Sequence, residues 1–275
     1  MGMTSPWRRV ALTVAGTDSG GGAGIAADVK TFDAHGVWAT VAVTAVTAQD
    51  TTGVYEIHPL PPALVVAQIA TVRQDMRVNA AKTGMLATAE TVEAVAGALH
   101  DLALVVDPVL AASHGPSLLA ADGAEMIVKV LVPLATVVTP NLAEAGALIG
   151  GDVLSRADME AAARELVGRG AQAVLVTGGH LPDTDAAADC LAVAGDADVV
   201  WLEGRRMAQS HTHGSGCVLS AAITARLARG EDIETACRGA KLWVTGALAA
   251  GWALGRGVGP VDPGWERPGG APGGC

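Results

Sequence analysis

Short apolar runs that stop at glycine or polar residues alternate along this chain with stretches whose apolar positions recur every three or four residues. The runs at 10–15, 40–48, 80–83, 103–106, 136–138 and 173–176 predict β-strands, because they are short, rich in Ala and Val and bounded by turn-forming residues. Between them, 22–35, 62–74, 89–99, 118–131, 142–148 and 158–168 predict helices. Residues 190–194 and 199–203 flank Gly195-Asp196 and predict a hairpin. Residues 54–58 predict a short flap strand, and 216–228 and 233–254 predict two long closing helices. Strand and helix in alternation are the pattern of βαβ units. The expected fold class is therefore α/β, a doubly wound, mostly parallel sheet flanked by helices, with a small β flap. No linker or internal repeat breaks residues 1–259, which are expected to form one domain. The Gly- and Pro-rich stretch 260–275 lacks periodicity and predicts a disordered tail.

In such sheets ligands bind beyond the carboxyl ends of the strands, and the unusual residues fall there. Gly16-Thr17-Asp18-Ser19-Gly20 follows the first predicted strand, Gln49-Asp50 the second, and Thr83-Gly84-Met85 the third. Asp107-Pro108 follows the fourth, Thr139-Pro140-Asn141 the fifth, and Thr177-Gly178-Gly179-His180 the sixth. A further motif, Thr212-His213-Gly214-Ser215-Gly216-Cys217, runs directly into an apolar helix pattern. Two glycines at the mouth of a helix leave backbone N–H groups unpaired and unshielded, which suits a phosphoryl anion. Cys217 stands in the first turn, where the helix dipole is expected to lower its pKa from about 8.5 and make thiolate available near neutral pH. The same residues also fit a tight turn with Cys217 as a small buried hydrophobe.

The segment from Gly16 to Gly24 opens a helix but matches neither a Walker A loop nor the G-x-G-x-x-G fingerprint. In the helix it opens, Ile25, Val29 and Phe32 define an apolar stripe, and Asp28 falls on the same side. A carboxylate there needs a partner, either an amino-substituted heterocycle or a structural hydrogen bond to the adjacent loop. Alternation within 40–48 and just past it places Val43, Ala45, Thr47 and Gln49 on one face. Gln49 both donates and accepts, which suits a ring nitrogen beside an exocyclic amine, or equally a turn. Asp107 emerges at the ligand end, where a carboxylate can orient Mg²⁺ against nucleotide phosphates or simply open an Asp-Pro turn. Asn141 and Glu144 have the spacing of an N-cap and its capping-box partner. His213 reads as a residue that shapes its loop, and Trp243 as core.

Hydrophobic residues make up 50% of the chain but aromatics only 3%, so the core is built from small aliphatic side chains packed closely. A net charge of −10 without a basic stripe argues against nucleic acid. The apolar run behind Arg8 and Arg9 stops at Thr17-Asp18-Ser19-Gly20, too short for a membrane span. Cys190, Cys217, Cys237 and Cys275 show no metal-ligand spacing and no disulfide framework, which fits a reduced, cytoplasmic setting.

Taken together, several stretches resemble the hydroxymethylpyrimidine/phosphomethylpyrimidine kinases of the ribokinase-like superfamily. They are 15–25 (AGTDSGGGAGI), 45–49 (AVTAQ), 82–86 (KTGML), 107–109 (DPV), 139–145 (TPNLAEA), 178–181 (GGHL) and 211–217 (HTHGSGC). The resemblance runs in register from about residue 10 to residue 260. It implies two ATP-dependent phosphorylations in thiamine biosynthesis, first of 4-amino-5-hydroxymethyl-2-methylpyrimidine and then of its monophosphate, with Mg²⁺ and a cytoplasmic homodimer. Residues 54–58 would lie at or near the dimer interface. By the same resemblance Gly16, Asp28, Thr47, Gln49, Met85 and Val109 line the pyrimidine pocket. Asp107 and Glu144 organise Mg²⁺ and phosphate, with Asn141 on the nucleotide side. The amides of Gly214, Ser215, Gly216 and Cys217 stabilise the transferred group, and Cys217 takes the hydroxyl proton. The main departure is Thr177, where the family usually carries lysine; Lys241 is the first candidate to replace that charge and a loop arginine the second. Two alternatives remain open, a pyridoxal or pyridoxine kinase of the same superfamily and a pyrimidine-binding protein without catalysis.

Overall fold

The computed structural model describes residues 9–111, 118–119, 122–181 and 187–266. Strand β1 (Val10–Ala15) sits inside the main sheet, paired in parallel with β2 (Trp38–Val43) on one side and β5 (Ala80–Thr83) on the other. From β5 the sheet continues in parallel through β6 (Ala103–Val106), β7 (Val137–Val138) and β8 (Ala173–Val176). The antiparallel strands β9 (Asp189–Val193) and β10 (Val200–Leu202) complete it as the expected hairpin. The order of the eight strands is β10-β9-β8-β7-β6-β5-β1-β2. Helices α1 (Gly24–Ala34), α7 (Ser215–Ala228) and α8 (Ile233–Ala249) cover one face. Helices α2 (Pro62–Asp75), α3 (Ala89–Leu99), α5 (Leu142–Ile149) and α6 (Arg156–Gly168) cover the other. Covered on both faces, the inner strands read as near-continuous apolar runs whose alternate residues enter opposite cores. Val105 packs towards α7, whereas Leu104 and Val106 belong to the core on the far side.

The chain moves outward from β1 to β2 and then returns to the other side of β1 to form β5, so the winding reverses between β1 and β5. Loops that leave a parallel sheet in opposite directions open a crevice at its carboxyl edge. That crevice positions the site.

Several expected boundaries move for identifiable reasons. The predicted strand 40–48 is two strands, because Thr44 turns the chain out of the sheet. Its amide donates to the Ala15 carbonyl at 3.0 Å and its hydroxyl to the Met85 carbonyl at 2.6 Å. Beyond Thr44 the chain forms a separate antiparallel flap of β3 (Ala45–Asp50) and β4 (Gly53–Pro59). The predicted helix 118–131 begins only at Gly123 as α4 (Gly123–Met126), then widens through Ile127–Leu131 and tightens at Val132–Leu134. Helix α8 stops at Ala249 rather than 254, where the Gln209 side-chain amide donates to the Leu248 and Gly251 carbonyls. In α1 the buried positions are Ala27, Asp28, Thr31 and Phe32, so the buried stripe is rotated from Ile25 and Val29 towards Asp28. The expected tail begins too early at 260: Val261 is buried and bonded to the His213 carbonyl, and Trp265 packs against Trp243. Residues 267–275 of that tail lie outside the described residues. Among the described residues no helix is long and apolar enough to cross a membrane.

Candidate active site

The glycine-rich loop after β1 is organised by Asp18. Its Oδ1 accepts from the Gly20 amide at 2.8 Å, and its Oδ2 accepts from the Gly22 and Ala23 amides at 3.0 and 2.8 Å. His213 Nε2 lies 2.8 Å from the same Oδ2. Burial works against charge on Asp18, but the hydrogen bonds from His213 and the amides outweigh it and hold the carboxyl below its usual range. His213 thus ties the first loop to the loop that opens α7, the shaping role its position suggested. Gly214 finishes the tie: its φ is +81°, and a Cβ there would overlap the Gly22 carbonyl oxygen.

At the start of α7 the Ser215 amide donates to the Thr212 carbonyl at 3.2 Å. The amides of Gly214, Gly216 and Cys217 have no hydrogen-bond partner among the described residues. These three, and not Ser215, are the donors available to an anion. Cys217 departs from expectation. Burial pushes its thiol up to about 12, with Asp107 and Asp28 adding to the rise, while Lys82 and the Gly24 amide pull the other way. The helix dipole does not overcome desolvation, so the thiol is protonated at neutral pH.

Beside these amides, the residues expected around a heterocycle, Asp28 excepted, gather at the carboxyl ends of β1 and β5. The Met85 side chain covers Gly16, and Ala45, Met85 and Ala87 form a small apolar cluster with Val109 against it. Thr47 and Gln49 share one face of β3 as expected, with Thr47 Oγ1 at 3.5 Å from Gln49 Oε1. Thr47 also donates its hydroxyl to the Thr17 carbonyl at 2.8 Å, and the buried residue links the flap to the first loop. Asp28 stands apart, with no exposed surface. Its Oδ2 accepts from the Thr13 hydroxyl at 2.6 Å and its Oδ1 from Lys82 Nζ at 2.8 Å, so the carboxylate faces a buried network behind the crevice.

Asp107 leaves the end of β6 and is nearly buried. Ser220 of α7 donates to its Oδ2 at 2.8 Å, and Lys82 Nζ lies 3.5 Å from the same oxygen. Asn141 and Glu144 make the full capping box of α5: the Asn141 side chain accepts from the Glu144 amide at 3.0 Å, and Glu144 Oε2 accepts from the Asn141 amide at 2.9 Å. Burial and the nearby charge of Asp107 push Glu144 up to about 8. Asp107 at the end of β6 and Glu144 in the first turn of α5 are thus close enough for the charge of one to act on the other.

Next to the mouth of α7 lies a cavity of about 1280 Å³, walled by the start of α5, the loops after β8 and β10, and α8. Asn141 and Ser215 reach it, as do Lys241, Arg205 and Arg206. Thr177 is half-buried, with its amide bonded to the Pro140 carbonyl at 2.9 Å. Lys241 is already engaged: its ammonium lies 2.8 Å from Asp189 Oδ2 and donates to the Ala187 carbonyl at 2.6 Å. Asp189 Oδ1 in turn accepts from the Gly178 amide at 3.1 Å, so this pair holds the loop after β8 in place. Arg206 donates to the Leu181 carbonyl. Arg205 is exposed and has no partner among the described residues.

Sequence reasoning missed the parts that join these groups, Lys82, Thr13 and Ser220. Each was legible as one polar residue inside an apolar run, but only the sheet register aligns Thr13 with Lys82.

Comparison with known proteins agrees with this geometry. A family model described as phosphomethylpyrimidine kinase matches residues 18–262. The hydroxymethylpyrimidine/phosphomethylpyrimidine kinase of Streptomyces coelicolor is 46% identical over 92% of this chain and 94% of its own. The bifunctional thiamine biosynthesis protein of Geobacter sulfurreducens is 41% identical over 91% of this chain, a match that takes up 51% of that longer protein. Among solved structures, pyridoxal kinase from Bacillus subtilis in complex with ADP superposes with a TM-score of 0.86 at 37% identity, covering 92% of this chain and 97% of that one. With the family model spanning nearly the whole described sheet, and a relative of near-equal length sharing almost half its residues, this chain belongs to the phosphomethylpyrimidine kinase family.

Proposed function

We propose that this protein transfers the γ-phosphoryl group of ATP to the hydroxymethyl oxygen of 4-amino-5-hydroxymethyl-2-methylpyrimidine, and then phosphorylates the monophosphate to the diphosphate, in thiamine biosynthesis. The observation that carries this reading is the convergence, at the β1/β5 reversal, of a small apolar cluster with three amides of the α7 mouth that have no partner among the described residues. The crevice formed by Gly16, Met85 and Val109 takes the flat ring, and Gln49 at its rim pairs with the ring nitrogen and amine. The nucleotide fills the adjoining cavity with its phosphates towards Gly214, Gly216 and Cys217. Those amides stabilise charge on the transferred group. As the substrate oxygen bonds to phosphorus and the bond to the ADP oxygen breaks, the hydroxyl proton passes to Cys217 in its minor, deprotonated form.

Asp107 and Glu144 fit Mg²⁺, a hard cation held by one or two carboxylates together with substrate phosphates. A divalent cation between them would offset what raises Glu144, burial first and the charge of Asp107 second. When bound, the ion screens phosphate charge. With Lys241 committed to Asp189, Arg205 is the side chain left to contact phosphate on the side where Thr177 stands.

Pyridoxal phosphorylation is the second reading, favoured by the close superposition on a pyridoxal kinase. Purified protein supplied with Mg·ATP and each substrate in parallel separates them. A higher kcat/KM for the hydroxymethylpyrimidine supports the first reading, a higher one for pyridoxal replaces it, and no product from either overturns both. We further propose a cytoplasmic homodimer: Cys190, Cys217 and Cys237 are free thiols, and Trp38, Val41, Val46 and Tyr55 expose apolar surface along edge strand β2 and the flap. Sedimentation of a purely monomeric species at micromolar concentration would refute the dimer.

A further inference from the structure

The chain beyond α8 has the composition of a loose tail, yet it bonds to several separate parts of the molecule. At the turn between β3 and β4, the Gly257 amide donates to Thr51 Oγ1 at 3.1 Å and the Val258 amide to the Thr51 carbonyl at 3.0 Å. The next residue, Gly259, serves the loop before α7: its carbonyl accepts from the His213 amide at 3.1 Å, and its amide donates to His211 Nδ1 at 3.2 Å. The Val261 amide then donates to the His213 carbonyl at 3.1 Å, and Pro260 lies against Gly22 of the first loop. Farther on the chain is anchored to α8, where the Asp262 amide donates to the Ala247 carbonyl at 3.0 Å and Trp265 packs on Trp243 and Gly246.

Ordering a segment with glycine at 255, 257 and 259 is costly in entropy. Fastening the chain end does not explain that cost, because Asp262 and Trp265 already fasten it. The earlier bonds instead join two parts of the site. Gln49 stands two residues before Thr51, and Gly214 follows His213, so the adjacent residues Val258 and Gly259 bridge the flap tip and the loop that leads to the Gly216 and Cys217 amides. We propose that residues 257–261 form a positioning strap for phosphoryl transfer, coupling the flap tip to the α7 mouth so that the acceptor ring and the anion-binding amides keep one separation. The inference rests on the kinase reading above.

The test is a double-variant cycle. Gly257→Ala acts at the flap end, where a Cβ would overlap the Thr51 carbonyl oxygen, and Gly259→Ala at the loop end, where it would overlap the Trp252 carbonyl oxygen and crowd His211 Nδ1. Each single variant is expected to lower kcat/KM for the pyrimidine by about ten- to a hundredfold, since a misplacement of about an ångström costs that much. The double variant is expected within about threefold of the less active single one, because either change releases the same link. Hydrogen exchange followed by mass spectrometry gives a readout that a loss of stability would not produce. Gly257→Ala speeds exchange in 211–217 and Gly259→Ala speeds it in 45–53, each at the end not substituted, while α3 and α6 exchange as in wild type. Any one of three results overturns the proposal: single variants within about threefold of wild type, losses that multiply in the double variant, or faster exchange confined to the substituted end. If a glycine variant does not fold, Thr51→Val and His211→Phe delete only the side-chain acceptors of the Gly257 and Gly259 amides, and exchange in the same cycle decides. Should the wild type transfer no phosphoryl group, the kinase reading fails, and exchange alone decides whether the strap couples the two ends.

Discussion

Replacing Gly214 by alanine perturbs the loop tie and the anion hole with a single methyl group. Gly214 has φ +81° and ψ 5°, a conformation that costs an L-residue roughly 1–2 kcal/mol. The added Cβ would also overlap the Gly22 carbonyl oxygen, and that backbone is held by Asp18, itself held by His213. Relief therefore requires the two loops to part by about an ångström, which moves the Gly216 and Cys217 amides away from the transferred phosphoryl. A displacement of that size costs about 10²-fold in rate, and loss of one preorganised donor costs about 10²–10³-fold. Gly214→Ala is accordingly expected to lower kcat at least about 100-fold, while stability falls by about 2 kcal/mol and the protein stays folded. ADP release coupled to a spectroscopic signal gives kcat, and urea unfolding gives stability. A folded Gly214→Ala protein with kcat within threefold of wild type would show that these amides are not where the phosphoryl group is stabilised.

Three other perturbations reach different parts of the same structure. With the Cys217 thiol at about 12, the thiolate fraction rises about tenfold per pH unit, so kcat/KM is expected to climb between pH 7 and 9; a flat profile removes Cys217 as the base. Arg205→Gln is expected to lower kcat/KM for ATP about ten- to a hundredfold through loss of a charge-assisted contact, whereas steady-state rates equal to wild type would leave Arg205 without a phosphate role. His35 is lowered from 6.5 to about 4, chiefly by burial, so the unfolded chain binds its proton first and stability is lost as pH falls from 6.5 towards 4. That loss is about 3 kcal/mol at most, and urea midpoints at pH 7 and pH 5 should converge more closely in His35→Phe than in wild type.

The alternation of short apolar runs with helix-period segments placed β1, β5, β6 and β8 at their true positions, because strands buried on both faces leave an unmistakable record in composition. It also set the unusual residues at the strand ends. What pattern does not carry is where a hydrogen-bonding group finds its partner. Thr44 splits one apolar run into two strands because its amide and hydroxyl bond to Ala15 and Met85, both distant in the chain. Likewise, Pro260 and Val261 look like a loose tail in composition, but they are held by backbone bonding and burial against the His213 loop.

The sequence by itself determined the α/β class, the candidate anion-binding motif at 212–217, the capping box of Asn141 and Glu144, and the family resemblance through motifs in register. Tertiary structure decided the electrostatics. A helix N-terminus lowers a thiol only where solvent or charge helps, and Cys217 is buried deeply enough for desolvation to prevail. Lys241 carries the right charge in the right cavity, but Asp189 already holds it. Lys82, the one charged residue of a short strand, becomes the centre of the site's buried charge only when the register sets it beside Thr13 and folding brings Asp28 and Asp107 to its ammonium. The physical reason is that periodicity is written in local spacing, whereas the energy of a charge depends on every group that surrounds it in space.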